Sequence, residues 1–86
     1  MLSAEQKARI KWDCRRGMLE LDVMIMPFYE QCFEQLNQTE QQDFIDLLAY
    51  DDPKLFRWLM NQERSELENI NRIVDKIVIY TRSQHS

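Results

Sequence analysis

A single glycine, Gly17, stands in a chain of 86 residues, with only two prolines, Pro27 and Pro53, beside it. Tight hairpins need Gly, Asn-Gly or Asp-Gly to reach positive φ, and no such dipeptide occurs. A chain this short and this poor in turn residues cannot be a meander of strands. The sequence therefore predicts an all-α fold, a single domain of four or five short helices spanning residues 1–86, with its core between about 3 and 82 and a frayed tail at 83–86.

Capping signals place the helices. Ser3 with Gln6 forms a capping-box pattern, and the helix it opens should run to about Arg16, with Gly17 supplying the left-handed C-terminal turn. From Leu19 to Leu36, the residues Leu21, Ile25, Phe28, Cys32 and Leu36 repeat at helical spacing, and Pro27 should kink or break that segment. Thr39 with Gln42 suggests a third start. Asp52-Pro53 suggests a fourth, with Asp52 as cap and Pro53 in the first helical position. Ser65 with Glu68 opens the last helix, whose apolar stripe is Leu67, Ile70, Val74, Ile77 and Val78. The aromatic residues Trp12, Phe28, Tyr29, Phe33, Phe44, Phe56 and Trp58 read first as core, and Met18, Met24 and Met26 as gap fillers.

Several chemistries lack their residues. The one histidine is His85, second from the end, so a histidine-activated nucleophile would depend on a tail. One glycine makes no phosphate-binding loop, and Cys14 and Cys32 form neither a CxxC pair nor a metal-ligand cluster. The two thiols read as those of a reducing compartment, and the amino-terminal residues carry no apolar stretch of a secretory signal. The longest apolar run, residues 23–28, is too short to span a bilayer. The expected location is cytoplasmic, with no membrane insertion and a monomeric state. No metal, no catalytic residue and no cofactor of the chain's own is expected.

Charge is unevenly spread. Residues 1–16 hold five bases against two acids, +3, and residues 17–86 hold six bases against thirteen acids, −7, for a net −4. A basic N-terminal helix containing Trp12 leaves open a small regulatory protein, either a nucleic-acid-binding factor or the antitoxin of a toxin–antitoxin pair. The acidic remainder argues against nucleic acid, because phosphate contacts demand a broad basic surface.

The densest feature is Cys14-Arg15-Arg16-Gly17-Met18-Leu19-Glu20-Leu21-Asp22. Bases at a helix end and acids at a helix start suit the macrodipole, so helix-end electrostatics and a glycine cap account for the charge order. A turn that presents Arg16 and Glu20 together, beside apolar atoms, would also make a docking knob, since arginine is a frequent interface anchor.

The run Arg16-Gly17-x-x-Glu20 resembles the RGxxE signature of the SdhE (YgfY-like) family of FAD assembly factors, known in mitochondria as succinate dehydrogenase assembly factor 2. The likeness extends through Trp12, Cys14 to Met18, Glu20 to Asp22 and Ile25 to Phe28, and resumes at Asp51-Asp52-Pro53, Leu55-Phe56 and Trp58 to Asn61. The resemblance implies a bundle of about five helices. It also implies a non-enzymatic role in covalent attachment of FAD, through the flavin 8α-methyl, to a histidine of the flavoprotein subunit of succinate dehydrogenase and also of fumarate reductase. The FAD then belongs to the partner. The matching contact positions are Arg16, Gly17 and Glu20, with Arg15, Met18, Asp22 and Trp12 in support.

Overall fold

Ser3 starts the first helix with both halves of its capping box: its Oγ accepts from the Gln6 amide at 3.1 Å, and Gln6 Oε1 accepts from the Ser3 amide at 2.8 Å. The computed structural model describes residues 3–85, His85 by its backbone alone. Five α-helices follow in order: α1 (Ala4–Asp13), α2 (Leu19–Cys32), α3 (Gln38–Leu48), α4 (Asp52–Leu59) and α5 (Glu68–His85). A 3₁₀ turn, Phe33–Gln35, continues α2, and no strand occurs among the described residues.

Local chemistry shifted several expected boundaries. The first helix ends at Asp13 rather than near Arg16. An α-helical Arg16 would donate its amide to Trp12 O; that carbonyl accepts from Arg15 instead, and the Arg16 amide goes to Asp22 Oδ1 at 2.8 Å. Pro27 neither breaks nor restarts α2, which runs through it. Leu21, Met24, Ile25 and Phe28 are buried on both sides of the proline. Keeping that face packed outweighs the roughly 3 kcal/mol a mid-helix proline costs.

The third helix is capped by Asn37 with Glu40, two residues before the expected Thr39 and Gln42. Glu40 Oε1 accepts from the Asn37 amide at 3.1 Å. That bond comes first, and Lys76 beside it second, in holding the Glu40 carboxyl below its ordinary range. The cap of α4 is Asp51, not Asp52: its Oδ1 accepts from the Lys54 amide at 3.1 Å. Asp52 is thereby released from backbone duty. The end of α4 is a Schellman turn built on Asn61 at φ 61°, with Asn61 N donating to Trp58 O and Gln62 N to Arg57 O. Asparagine tolerates this conformation better than other non-glycine residues, which is how a chain with one glycine closes a helix.

Ser65 does not cap α5 directly. It accepts from the Leu67 amide at 3.0 Å, and its own amide and carbonyl are clasped by the buried side chain of Asn71 at 2.8 and 2.9 Å. Leu67 accordingly lies outside the stripe and is 49% exposed, while Ile70, Ile73, Val74 and Ile77 are buried. The helix continues through the stretch 83–85 that the sequence set aside as tail; Ser86 lies outside the described residues.

The core sits where α5 packs against α2, α3 and α4. Phe44 of α3 is its aromatic centre, with ring centroids 5.7 Å from Phe28 and 5.6 Å from Phe33. Tyr80 meets Phe28 edge-on at 5.9 Å. The first helix is tied on through Ile10, which is buried, and through the Tyr29 hydroxyl, which donates to Lys7 O at 3.1 Å.

Candidate docking surface

Between Asp13 and Leu19 the chain must leave one helix and enter another without a long loop. Gly17 makes this possible at φ +84°, a conformation that L side chains rarely adopt. Beyond Arg16 and Met18, its chain neighbours, no described atom lies within 4 Å of where its Cβ would be. Within the bundle the glycine is therefore required for its backbone angle alone.

Arg16, just before it, departs most from the expected picture. Its guanidinium does not turn out beside Glu20. Nε donates to Asp52 Oδ1 at 2.8 Å, Nη1 to Leu48 O at 3.0 Å and to Asp13 O at 3.1 Å, and Nη2 to Tyr50 O at 2.8 Å. Asp13 and Leu48 are the last residues of α1 and α3, so one cation closes the negative ends of two helices. Asp52 is the first residue of α4, where an acid is favoured by the dipole. The Arg16 side chain is 16% exposed as a result.

The other expected contact residues divide. The side chains of Glu20 and Arg15 are exposed and make no hydrogen bond or ion pair among the described residues. Trp12, read first as core, is 74% exposed, because it stands on the outward face of α1, two residues beyond the buried Ile10. Met18 is half-buried against the core. Asp22 is half-buried and turned back onto the Arg16 amide. Two residues not singled out by the sequence join the outer surface: Leu19 is 71% and Val23 48% exposed, one helical turn apart on α2. Their signal lay in the spacing, since both fall off the Leu21, Ile25, Phe28 face.

The basic stretch is narrower in space than in sequence. Lys7 pairs with Glu34 at 2.8 Å, and Arg16 with Asp52. That leaves Arg9, Lys11 and Arg15 as the outward cations of the first sixteen residues. Among the described residues no cluster of His, Cys, Asp or Glu is arranged to hold a metal ion, and no helix is long and apolar enough to cross a membrane.

Cys14, at the start of the turn, is fully buried and free. Burial first, then the neighbouring Asp13, pushes its thiol up to about 12, with Arg16 opposing. In the unfolded chain the thiol ionises near 9.0, so between about 9 and 12 the unfolded state releases a proton that the folded state keeps. The contribution of Cys14 to stability is therefore present below pH 9 and lost as pH rises towards 12. Denaturant midpoints should fall over that window, and Cys14→Ser should flatten the fall. At pH 8, mass spectrometry after treatment with a thiol reagent should find Cys14 unmodified until the protein is unfolded.

The family model described as the flavinator of succinate dehydrogenase (Sdh5) matches residues 8–81. The chain belongs to this family. The match takes in the whole RGxxE turn and all five helices apart from their outer ends. The FAD assembly factor SdhE of Vibrio cholerae is 58% identical over 84 residues, covering 98% of both chains. That of Yersinia pseudotuberculosis is 47% identical over 76 residues, 88% of this chain and 86% of the other. The solution structure of a UPF0350 protein, 58% identical, superimposes with a TM-score of 0.81 over 98% of this chain and 89% of that one. The family and the all-α fold implied by the sequence resemblance are thus established.

Proposed function

We propose that this chain is a non-enzymatic FAD assembly factor that docks on the flavoprotein subunit of succinate dehydrogenase, and on that of fumarate reductase, in the cytoplasm. The observation that carries the reading is family membership joined to a turn built to be held rigid and open. Gly17 sits over empty space, and the exposed Trp12, Leu19, Val23 and Glu20 surround it in sequence on the ends of α1 and α2. Large apolar side chains left in water next to exposed acids, Asp13 and Glu20, suit a protein surface with complementary pockets and a cation.

Such a helper needs no catalytic group. The flavin supplies the chemistry of its own attachment, and binding energy that favours the flavoprotein conformation in which flavin and acceptor side chain meet is enough to promote it. FAD is then a ligand of the client and not of this chain.

The test is deletion of the gene followed by in-gel flavin fluorescence of the succinate dehydrogenase flavoprotein. Loss of the fluorescent band, restored by the wild-type gene, is expected; an unchanged band would remove the assembly role. Glu20→Ala and Trp12→Ala, both at exposed positions, should leave the melting temperature within a few degrees and weaken flavoprotein binding by about tenfold or more, the cost of a hot-spot truncation. Isothermal titration with the purified flavoprotein subunit reads this directly, and wild-type affinity in both variants would move the interface elsewhere.

A further inference from the structure

We infer that Asp52 is a positioning residue for docking: it sets the shape of the Arg16-Gly17 turn from across the bundle, and Arg16 serves recognition by holding that turn and not by reaching the partner. The inference rests on the docking role proposed for the turn.

A guanidinium has five N–H donors. Four hydrogen bonds within the chain already engage it, to Asp52, Asp13, Leu48 and Tyr50, so at most one donor is left for another molecule. Three of those acceptors are carbonyls, and only Asp52 brings a compensating charge. Asp52 is available for this because its neighbour Asp51 already caps α4 through the Lys54 amide. On the opposite side Asp22 Oδ1 accepts from the Arg16 amide at 2.8 Å. Arg16 is thus gripped at its backbone by α2 and at its side chain by the junction of α3 and α4. Between those grips and Leu19 lie only Gly17, with its φ of +84°, and Met18. Removing either grip lets the turn sample other shapes, and a partner that binds one shape then binds a smaller fraction of the molecules. Arg16 and Asp52 must act as one unit, whichever is removed first.

A double-mutant cycle tests this, with titration of the purified succinate dehydrogenase flavoprotein subunit as readout and circular dichroism confirming that each variant is folded at the temperature used. Asp52→Ala should weaken binding about tenfold, and should add almost nothing in an Arg16→Ala background, because residues in one network are non-additive. Asp52→Asn keeps an acceptor oxygen without the charge and should lose about threefold, the weaker neutral bond still aiming Nε. It carries the cycle if Asp52→Ala does not fold. Asn37→Ala, at the opposite end of α3, removes a helix cap and lowers the melting temperature without touching the turn, and it should bind as wild type. Wild-type affinity in Asp52→Ala, or additive losses in the double variant, would overturn the inference and make Arg16 a direct contact. Weakened binding in Asn37→Ala equal to that in Asp52→Ala would overturn it too, by reducing the effect to general stability. If Arg16→Ala, Gly17→Arg and Glu20→Ala all bind as wild type, the docking role of the turn itself has failed.

Discussion

Gly17→Arg should leave the flavoprotein without covalent flavin while the variant itself remains a folded helical bundle. Two effects combine. A non-glycine residue held at φ +84° costs roughly 1 to 2 kcal/mol of backbone strain. That is a tolerable part of the roughly 4 to 13 kcal/mol expected of a domain this long. No atom of the bundle lies within 4 Å of the new Cβ, so the side chain does not disrupt packing; it extends from the turn into the space the partner is proposed to occupy. Gly17→Ala separates the two effects, since it carries the strain without the bulk. In-gel flavin fluorescence should be lost with arginine and mostly kept with alanine, and both variants should retain wild-type far-ultraviolet circular dichroism. Full flavinylation with Gly17→Arg would contradict the docking model, and an unfolded Gly17→Arg would mean that the backbone strain exceeds its ordinary size.

Arg16→Ala should produce the largest loss of stability among changes in the signature. Truncation orphans the carbonyls of Leu48 and Tyr50 and leaves Asp52 without its cation. An unpaired buried acceptor costs roughly 1 to 3 kcal/mol, and breaking a fully buried charge pair roughly 3 to 5. Asp52 is 35% exposed, so water recovers part of this, and a net loss of about 2 to 3 kcal/mol is the reasonable expectation. In a domain of this size that lowers the melting temperature by on the order of 10 °C or more. Arg16→Lys should recover little, because an ammonium cannot span Asp52, Leu48 and Tyr50 as the planar fork does. Glu20→Ala, four residues on, should change the melting temperature hardly at all. Differential scanning calorimetry of the three variants checks the order; equal stability of Arg16→Ala and Glu20→Ala would mean the inward network contributes nothing. The RGxxE signature therefore contains two kinds of residue, an arginine and glycine that build the turn and a glutamate that is exposed at the start of α2.

Features governed by near neighbours in the chain were legible from the residues. The Ser3 box, the apolar face of α2 and the stripe of α5 from Ile70 to Ile77 all rest on contacts within three or four positions. Where several capping residues stood close together, proximity in sequence did not decide between them. Asn37 displaced Thr39, and Asp51 displaced Asp52, because the cap is whichever side chain has extended backbone when the helix is docked, as Asn37 has at ψ 172° and Asp51 at ψ 163°.

By itself the sequence determined an all-α bundle, the left-handed turn at Gly17 and the family to which that turn belongs. The tertiary structure alone decided which way the turn's arginine points. Apart from the Asp13 carbonyl three residues back, its partners lie 32 to 36 residues away, from the end of α3 to the start of α4, and come within reach only when the helices pack. Helix periodicity and capping are short-range and can be read along a chain. A cation seeking acceptors chooses by distance in space, and the exposed helix-end carbonyls and freed carboxylate it found exist only in the folded molecule.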